Sequence, residues 1–528
     1  MSTGVRRSNS IAAILTGIVL GVGPATAMAQ SPAGTAELRG ALFDSIMAMT
    51  ERREAWSPVK EAALGYDPRA EMEALRDEVV GAETEEALFY ALTKLSNARR
   101  DSHLSVTPVP GGLDGPVAAE LRTGIHVLPD YTDMSDPDFF IAGLDRDALG
   151  EYGADVAIGD RILSVNGRSP KEVVDAFRPW TRHSSVQGLL WNVARDLPLK
   201  LPTTAPWMYR ETLDLELERS DGSRVGVSLT YLDPGSVEIQ RGESVLYPGF
   251  SPVLERFNFN VLRPDDGRRV VLLQWLDFED DLIQDVVDLM EYAEAENILD
   301  HTLVIDVTDS SGGSRGAYAM QRLVDEPFRT TFGNVRISDA TEPMIREWAA
   351  REPDEDAPVI FGLDESGRWL QEWARDDALP AVLRGDAYTA PTPFKLAHLP
   401  KDSDGVLQPA PVHFSGSVAI IGGPRGGSHL DQFVSMFADN DLALTIGMPT
   451  AGYSNTWEAE EVLTFPGTDR PVVRFMWNVG HTLRPNGEIL EGNAVEPEVY
   501  VPLTRENFRT YHRDLLEAAL RRLSVPVS

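Results

Sequence analysis

Ser428 lies in a context that could hold a serine nucleophile. It follows the apolar segment 418–421 and the glycine-containing turn GGPRGG at 422–427, and it precedes a helical apolar pattern from Leu430 to Phe437. A serine between a buried strand and a helix has an exposed hydroxyl in the positive field of the helix N-terminus. The alternative is that Ser428 only caps the helix, because serine is a common N-cap residue.

A catalytic serine requires a base that accepts its proton and an oxyanion hole that stabilises the intermediate. Of the nine histidines, His429 adjoins Ser428, but neighbouring side chains on a helix point in different directions, so we do not expect it to reach the serine hydroxyl. His103 ends the stretch NARRDSH at 97–103, which closes a predicted helix. The other histidines have no companion motif: His126, His183, His301, His398, His413, His481 and His512.

Composition excludes several classes of function. The chain has 48 basic and 82 acidic residues, and a net charge of −34 argues against binding of nucleic acid or anionic membranes. It has no cysteine, which excludes thiol chemistry, thiolate metal sites and disulfides. A P-loop needs Gly-Lys-Ser/Thr, and the 422–428 turn contains no lysine. No His-Glu-x-x-His motif occurs, and we predict neither a metal nor a cofactor.

The N-terminal residues predict export. A basic pair at 6–7, an apolar run over 11–22 and an Ala-Met-Ala sequence ending at residue 29 are the three parts of a signal peptide over residues 1–29. An uncleaved N-terminal anchor is the alternative. We therefore expect a periplasmic or secreted protein.

The elements that must position Ser428 fall into further units, and 528 residues suggest two to four domains. Helical periodicity predicts a helical domain over 35–115, and short alternating strands predict a β domain with bridging strands over 118–245. Alternating strands and helices predict a crossover parallel sheet over 246–505, with a loop-rich insertion at 333–410. An amphipathic helix closes the chain at 506–528. The predicted fold class is α/β and multi-domain.

The β domain contains the stretch GADVAIGDRILSVNG at 153–167. A Gly-Asp turn there leads into a short strand that ends at an Asn-Gly turn, and a helix follows from Pro170 to Phe177. This stretch resembles the PDZ fold, whose groove holds an extended peptide by strand addition. A hairpin of another type of β domain is the alternative.

Four stretches, in this order, resemble the family of tail-specific, or C-terminal processing, serine proteases. The PDZ-like unit is the first of them. DVTDSSGG at 306–313 is similar to the family's D-L-R-G-N-P-G-G, GGSHLD at 426–431 to its T-A-S-A-S-E, and LEGNAVEPEV at 490–499 to its I-E-G-x-G-V-x-P-D-I. The resemblance implies a crotonase/ClpP-like α/β protease core, Ser428 as the nucleophile and a polypeptide as the substrate.

The chain departs from the commonest members of this family at the general base. Many of them carry a lysine at the end of G-E-x-T-F-G-K, where GMPTAGY at 447–453 has Tyr453. An unperturbed tyrosine, with a pKa near 10, is a poor base at neutral pH. No lysine occurs after Ser428, which argues against a Ser-Lys mechanism.

The chain is more similar to the tricorn-type branch of the family, in which the base is a histidine in a D-x-H stretch that closes an N-terminal helix. RDSHLSV at 100–106 resembles that stretch. The resemblance implies that His103 is the general base and that Ser102 and Glu491 complete a tetrad, with Glu488 as the alternative to Glu491. Three residues are expected to supply backbone N–H groups to the oxyanion hole: Gly312, Gly313 and His429.

The predicted function is an exported serine endopeptidase that cleaves polypeptides through an acyl-enzyme. The alternative is a catalytically inactive family member that binds peptides or serves as a scaffold. The sequence leaves a homo-oligomer open and does not identify the natural substrate.

Overall fold

A computed structural model describes residues 33–113, 115, 119–242, 246–279, 281–357, 359–360, 363–364, 366–393, 404–455 and 457–525. The predicted signal peptide, residues 1–29, and His398 lie outside the described residues. Among the described helices, none has the length and apolar character needed to cross a membrane.

Five helices begin the described chain: α1 (Ala36–Arg53), α2 (Pro58–Leu64), α3 (Pro68–Glu73), α4 (Arg76–Gly81) and α5 (Glu85–Asn97). Four of them start after a residue whose side chain accepts a backbone N–H of the first turn: Thr35, Ser57, Asp67 and Thr84. Proline occupies the first turn of α2 and α3, where its missing N–H has no helical partner to lose. The first short strand, β1 (Val106–Thr107), follows.

A β-rich unit with two helices comes next: β2 (Leu121–Arg122), β3 (Ile125–Asp130), β4 (Asp138–Leu144), β5 (Arg161–Val165), α6 (Pro170–Phe177), α7 (Val186–Asp196), β6 (Leu199–Lys200), β7 (Thr212–Glu218), β8 (Arg224–Thr230) and β9 (Gln240–Arg241). Strands β3, β4, β5, β7 and β8 form an antiparallel sheet in that order, and β9 pairs with β4. The helix predicted at 170–177 is α6, and Ser169 and Glu172 form its capping box. The resemblance of this unit to a PDZ domain stays a prediction.

The next elements begin the largest sheet: β10 (Phe250–Glu255), β11 (Phe259–Pro264), β12 (Val270–Trp275), α8 (Leu282–Ala295), β13 (Thr302–Asp306) and α9 (Gly316–Leu323). Strands β12 and β13 are almost entirely buried apolar residues. Such continuous apolar runs are typical of parallel strands that are covered on both faces.

The segment that follows contains β14 (Phe328–Arg329), β15 (Phe332–Gly333), α10 (Thr341–Ala350), β16 (Val359–Ile360), β17 (Leu363–Asp364), α11 (Arg368–Trp373), α12 (Leu379–Arg384) and β18 (Val406–Leu407). The segment predicted as a loop-rich insertion, 333–410, thus also contains three α-helices in its central part, and its description as an insertion stays a prediction. Helices α10, α11 and α12 pack around a small core of their own that includes Ile345, Trp373 and Ala378. These few apolar positions are separated by acidic residues, which conceal the helical spacing.

The described chain ends with β19 (Val418–Gly422), α13 (His429–Ala438), β20 (Leu444–Gly447), β21 (Glu458–Thr464), β22 (Pro471–Asn478), β23 (Thr482–Leu483), β24 (Val499–Tyr500) and α14 (Tyr511–Arg522). The seven-stranded sheet has the order β10-β11-β12-β13-β19-β20-β24. All neighbours from β12 to β24 are parallel. The α/β class with a crossover parallel sheet is thus confirmed.

The N-terminal helices are not a detached domain. Their buried side chains, among them Phe43 and Leu92, form one apolar cluster with Val473 and Trp477 of β22. Strand β1 also pairs with β22. The helical region predicted at 35–115 therefore shares its core with a strand from the C-terminal part of the chain.

Candidate active site

Ser428 lies at the carboxyl edge of the seven-stranded sheet, in the turn between β19 and α13. Strand β13 ends at the same edge, because Asp306 is in register with Ile421. The backbone at Ser428 has φ 64° and ψ −124°, and such a conformation costs a non-glycine residue about 1–3 kcal/mol. The Ser428 side chain makes no hydrogen bond that caps the helix. The capping alternative is therefore wrong, and the strained turn presents the hydroxyl instead.

Two glycines allow the neighbouring loops to approach this serine. A Cβ at Gly427 would lie 2.3 Å from a ring carbon of Tyr453. A Cβ at Gly312, in the loop after β13, would lie 2.6 Å from the Cβ of Ser428. Real Cβ atoms are not found at such distances from other carbons, so a larger residue at either position would displace the loop that carries the site.

His103 lies within hydrogen-bond distance of the serine hydroxyl. Its Nε2 is 3.1 Å from Ser428 Oγ, although 325 residues separate the two in the chain. The backbone between α5 and β1 sets this position: Arg100 has φ 49°, and the backbone N–H of His103 donates to Asp101 Oδ1 at 2.9 Å. The structure thus brings together Ser428 and His103, the two residues for which the sequence predicted the roles of nucleophile and base.

Tyr453, at the position where a lysine was sought, packs its ring edge-on against His103, with 4.9 Å between the ring centroids. Its carbonyl oxygen accepts the backbone N–H of Ser428. Burial, and then the nearby Asp431 carboxylate, raise the pKa of Tyr453 to about 12. The phenol is therefore protonated at neutral pH and supports the ring of His103 by contact.

Two buried carboxylates lie beside the imidazole. A ring nitrogen of His103 and carboxylate oxygens of Asp101 and Glu491 all lie within 4.8 Å of one another. His103 Nδ1 is buried and has no hydrogen-bond partner among the described residues. The carboxylates therefore act on the imidazole through their charge, at a distance longer than a hydrogen bond.

Lys60, on α2, supplies the cation for these carboxylates. Its Nζ lies 2.9 Å from Glu491 Oε1 and 3.9 Å from Asp101 Oδ2, and its side chain is only 6% exposed. Gly492 has φ 78°, and a Cβ there would lie 2.3 Å from the Cβ of Lys60, so the glycine after Glu491 allows α2 to pack this closely. Burial opposes the charge on Lys60, but the carboxylates of Glu491 and Asp101 outweigh it and raise its pKa.

The two carboxylates differ in their surroundings. Burial disfavours the charge of Asp101, but Lys60, His103 and hydrogen bonds from the backbone of His103 and from Asn455 lower its pKa overall. Burial and the neighbouring Asp101 raise the pKa of Glu491, although Ser454 N donates to its Oε2 at 2.9 Å. Asp101 is thus the carboxylate held more firmly in its charged form.

The predicted orienting residues require correction. The backbone N–H of Ser102 donates to Ser184 Oγ at 3.1 Å, and the residue lines a groove beside the site. No hydrogen bond among the described residues joins it to the His103 ring. Glu491 lies near the ring without bonding to it. The alternative, Glu488, bonds to the side chain of Asn493 instead.

Sequence reasoning missed Asp101 as a member of this cluster, and it missed Lys60 altogether. Asp101 has a signal, because it is the acidic residue of the D-x-H stretch. Lys60 has none, since it stands alone in a short capped helix, and the partners that bury it come from residues 101 and 491.

The predicted oxyanion-hole residues lie in two places. A Cβ at Gly312 would be 3.2 Å from His429 N as well as close to Ser428, so the Gly312 backbone and the first peptide of α13 both face the serine. Gly313 packs against Phe278, with which it forms a bridge. The imidazole of His429 is turned away, because its Nε2 accepts the backbone N–H of Gly316 at 2.7 Å.

Donor atoms of Asp101, His103 and Glu491 are close enough to hold a metal ion. The ammonium group of Lys60, however, already lies against both carboxylates. A metal ion at this point would have to displace that cation.

Comparison with known proteins identifies the fold. No protein-family model and no curated protein sequence matches the chain. The structure is similar to that of mature CPAF complexed with lactacystin, with a TM-score of 0.68 and 17% identity over 92% of this chain and 99% of that one. A second structure, of mature CPAF alone, gives a TM-score of 0.68 and 16% identity over 92% and 98%. The chain therefore has the fold of mature CPAF over nearly its whole length.

Proposed function

We propose that this protein is a serine peptidase in which Ser428 is the nucleophile and His103 is the general base. The observation that carries the proposal is the 3.1 Å distance between Ser428 Oγ and His103 Nε2, at a serine with a strained backbone in a strand-to-helix turn. A strained turn between a sheet edge and a helix N-terminus exposes a nucleophilic side chain, whereas a serine with only a structural role is expected in an unstrained conformation.

The proposed reaction starts with neutral His103, in which Nε2 accepts and Nδ1 carries the proton. Ser428 Oγ attacks the scissile carbonyl carbon while its proton passes to Nε2. The imidazolium then returns a proton to the leaving amine as the C–N bond breaks, and the acyl-enzyme remains. In the second half, water loses a proton to the same nitrogen and attacks the acyl carbon. The imidazolium then returns that proton to Ser428 Oγ as the C–Oγ bond breaks, which releases the carboxylic acid and restores the free serine.

The surrounding groups favour this proton transfer. The carboxylates of Asp101 and Glu491 stabilise the imidazolium as it forms, which is the part that an aspartate has in a Ser-His-Asp triad. With Lys60 charged, these three groups carry one net negative charge, which the proton on His103 neutralises. We assign the oxyanion hole to the backbone around Gly312 and to the N–H of His429, and each such donor is typically worth about 10²–10³ in rate.

Labelling with a fluorophosphonate probe tests the proposal. We expect the purified protein to be labelled, Ser428→Ala to remain unlabelled and His103→Ala to react about 10²–10⁴ times more slowly. Tyr453→Phe is the matched control, since it keeps the ring against His103 and removes only the hydroxyl. A folded protein that is not labelled would support the inactive scaffold, and equal labelling after Ser428→Ala would show that the probe reacts at another residue; either result overturns the proposal.

Further proposals concern an inhibitor, the class of substrate and the export of the protein. Mature CPAF is found in complex with lactacystin, and we expect this compound to compete with the fluorophosphonate probe. The resemblance to tail-specific proteases supports a polypeptide substrate, and the signal-like residues 1–29 support export. Determination of the N-terminal residue of the exported protein tests the latter, with Gln30 as the expected result.

A further inference from the structure

A groove lies beside Ser428 and His103, between α5, α7 and the turn that precedes Ser428. Its volume is about 480 Å³. Ser102 and Tyr453, which flank His103, and Pro424, which precedes Ser428 in the turn, form its inner end. A polypeptide bound with its carbonyl at Ser428 would therefore have neighbouring side chains within this groove.

The groove is basic in a chain that is strongly acidic overall. Among the residues that line it, three are arginines (Arg182, Arg195 and Arg425) and one, Asp196, is acidic. Within the described part of the chain no acidic side chain pairs with Arg182. Arg195 pairs with Asp196 but remains 55% exposed. The groove is thus lined by more basic than acidic side chains, in a chain whose net charge is −34.

The arginines lie close enough to the site to act on it. Arg182 and Arg195 both oppose the increase in the pKa of Tyr453, the residue whose ring contacts His103. Their charges are therefore felt at the phenol that borders the imidazole. Arg425 lies three positions before Ser428 and pairs with Asp309 at 2.6 Å, yet its side chain is 44% exposed.

The positive region continues beyond the groove. A second cavity, of about 160 Å³, shares Arg195, Pro424 and Arg425 with the first and adds Arg241, together with Asp309, the acidic partner of Arg425. His126 in its wall reports the local potential: burial, and then the charges of arginines including Arg241 and Arg425, lower the pKa of His126 to about 4. The two cavities together form a basic band that leads away from the catalytic pair.

We propose that this band selects polypeptide segments that carry aspartate or glutamate side chains within a few residues of the scissile bond. The inference rests on the proposed peptidase function and adds the substrate class. Guanidinium groups bind carboxylates with paired N–H donors. The negative charge of the remaining surface repels acidic segments elsewhere, so these arginines set the docking position.

The expected selectivity is moderate, because the arginines are exposed. A single exposed ion pair changes an equilibrium by about 1.4- to 5-fold, and two or three acting together give about tenfold. We therefore expect kcat/KM to be about tenfold higher for a peptide with glutamate than for the same peptide with lysine, with glutamine between them. The preference must decrease at high salt, since the interaction is screened.

The experiment uses the full-length mature protein and a library of peptides from a chymotryptic digest of a proteome. Cleavage sites are mapped by mass spectrometry, and the best-cleaved sequence is synthesised as fluorogenic peptides with glutamate, glutamine or lysine at each flanking position. The ratio of kcat/KM for the glutamate and lysine peptides is measured at 20 mM and 500 mM NaCl. A ratio does not depend on the fraction of active enzyme, so it can be compared between variants.

We expect enrichment of Asp and Glu around the cleavage sites, and a ratio that falls to about one or below in an Arg182→Glu, Arg195→Gln variant. Arg521→Glu, on the exposed face of α14 far along the chain, should leave the ratio unchanged. If the fluorophosphonate probe labels the wild-type protein but its peptides show no charge preference at low salt, the substrate class is wrong and the peptidase function stands. If the wild-type protein is not labelled, both are wrong. The salt dependence of the wild type decides the question even if the double variant does not fold.

Discussion

Replacement of Lys60 by methionine measures how much one buried cation beside Asp101 and Glu491 contributes to the free energy of unfolding. The ammonium group lies 2.9 Å from Glu491 Oε1 and 3.9 Å from Asp101 Oδ2. Methionine has a similar length and flexibility but no charge and no N–H donor. Lys60→Met therefore leaves two buried carboxylates facing each other without the cation between them.

The size of the effect follows from these distances. At an effective dielectric constant of about 20, an ion pair at 2.9 Å gains about 6 kcal/mol and one at 3.9 Å gains about 4 kcal/mol. The cost of removing the charges from water offsets much of this gain, and loss of one partner from a buried pair has a net cost of about 3–5 kcal/mol. We expect the free energy of unfolding to fall by about that amount at pH 8.

The loss should depend on pH, with a definite sign. In the variant, mutual repulsion and burial raise the pKa values of Asp101 and Glu491 in the folded state above those in the unfolded chain. A folded state with raised pKa values binds protons more tightly, so its stability is greatest at low pH and decreases as the pH rises through the folded pKa. The destabilisation by Lys60→Met should therefore be small near pH 5 and grow towards pH 8.

Urea denaturation followed by tryptophan fluorescence at pH 5 and pH 8 measures this difference. Lys60→Met combined with Glu491→Gln is the matched control, because it removes the repulsion along with the cation and should regain most of the stability at pH 8. A loss below about 1 kcal/mol at pH 8, well short of the cost of a broken buried pair, would refute the reasoning. So would an equal loss at both pH values.

Two other substitutions test the packing of the turn before Ser428 and the protonation of Asp431 in α13. Gly427→Ala places a Cβ 2.3 Å from the Tyr453 ring. Because that ring contacts His103, we expect fluorophosphonate labelling to slow by about 10²-fold. Gly226→Ala, where the added Cβ meets nothing within 4 Å, is the control. Burial raises the pKa of Asp431 to about 7, so this carboxyl adds stability below pH 4 that is lost as the pH rises to about 7. Asp431→Asn should remove that part of the decrease in urea denaturation between pH 4 and pH 8, and an unchanged slope would contradict the assignment.

The sequence could predict the strand, turn and helix at Ser428 because all three leave local signals. The apolar run of β19, the glycines of the turn and the helical spacing of α13 are contiguous in the chain. His103 was identified through a resemblance, and its 3.1 Å approach to Ser428 depends on packing that no local pattern describes. The strand, turn and helix around Ser428 were thus predictable from the residues themselves, whereas the proposed roles of Ser428 and His103 came from the resemblance.

The errors have a common physical origin. Ser102 adjoins His103 in the sequence, but its backbone N–H bonds to Ser184, and no hydrogen bond among the described residues joins it to the His103 ring. Lys60 would be expected at the surface, as most lysines are, and only its two acidic neighbours in space account for its burial. Both cases depend on partners distant in sequence, which a pattern of spacing does not contain.

Contacts between segments that are distant in sequence also determine how the site is assembled. His103 lies three residues before β1, and the pairing of Val106 with Phe475 in β22 fixes that strand to the C-terminal part of the chain. The side chains of α5 are buried with those of β22 in one cluster. His103 therefore reaches Ser428 only after segments more than 300 residues apart have docked. Because contacts between segments so distant in the chain form slowly, we expect Ser428 to lack its contact with His103 in a partly folded chain, until the N-terminal helices have packed.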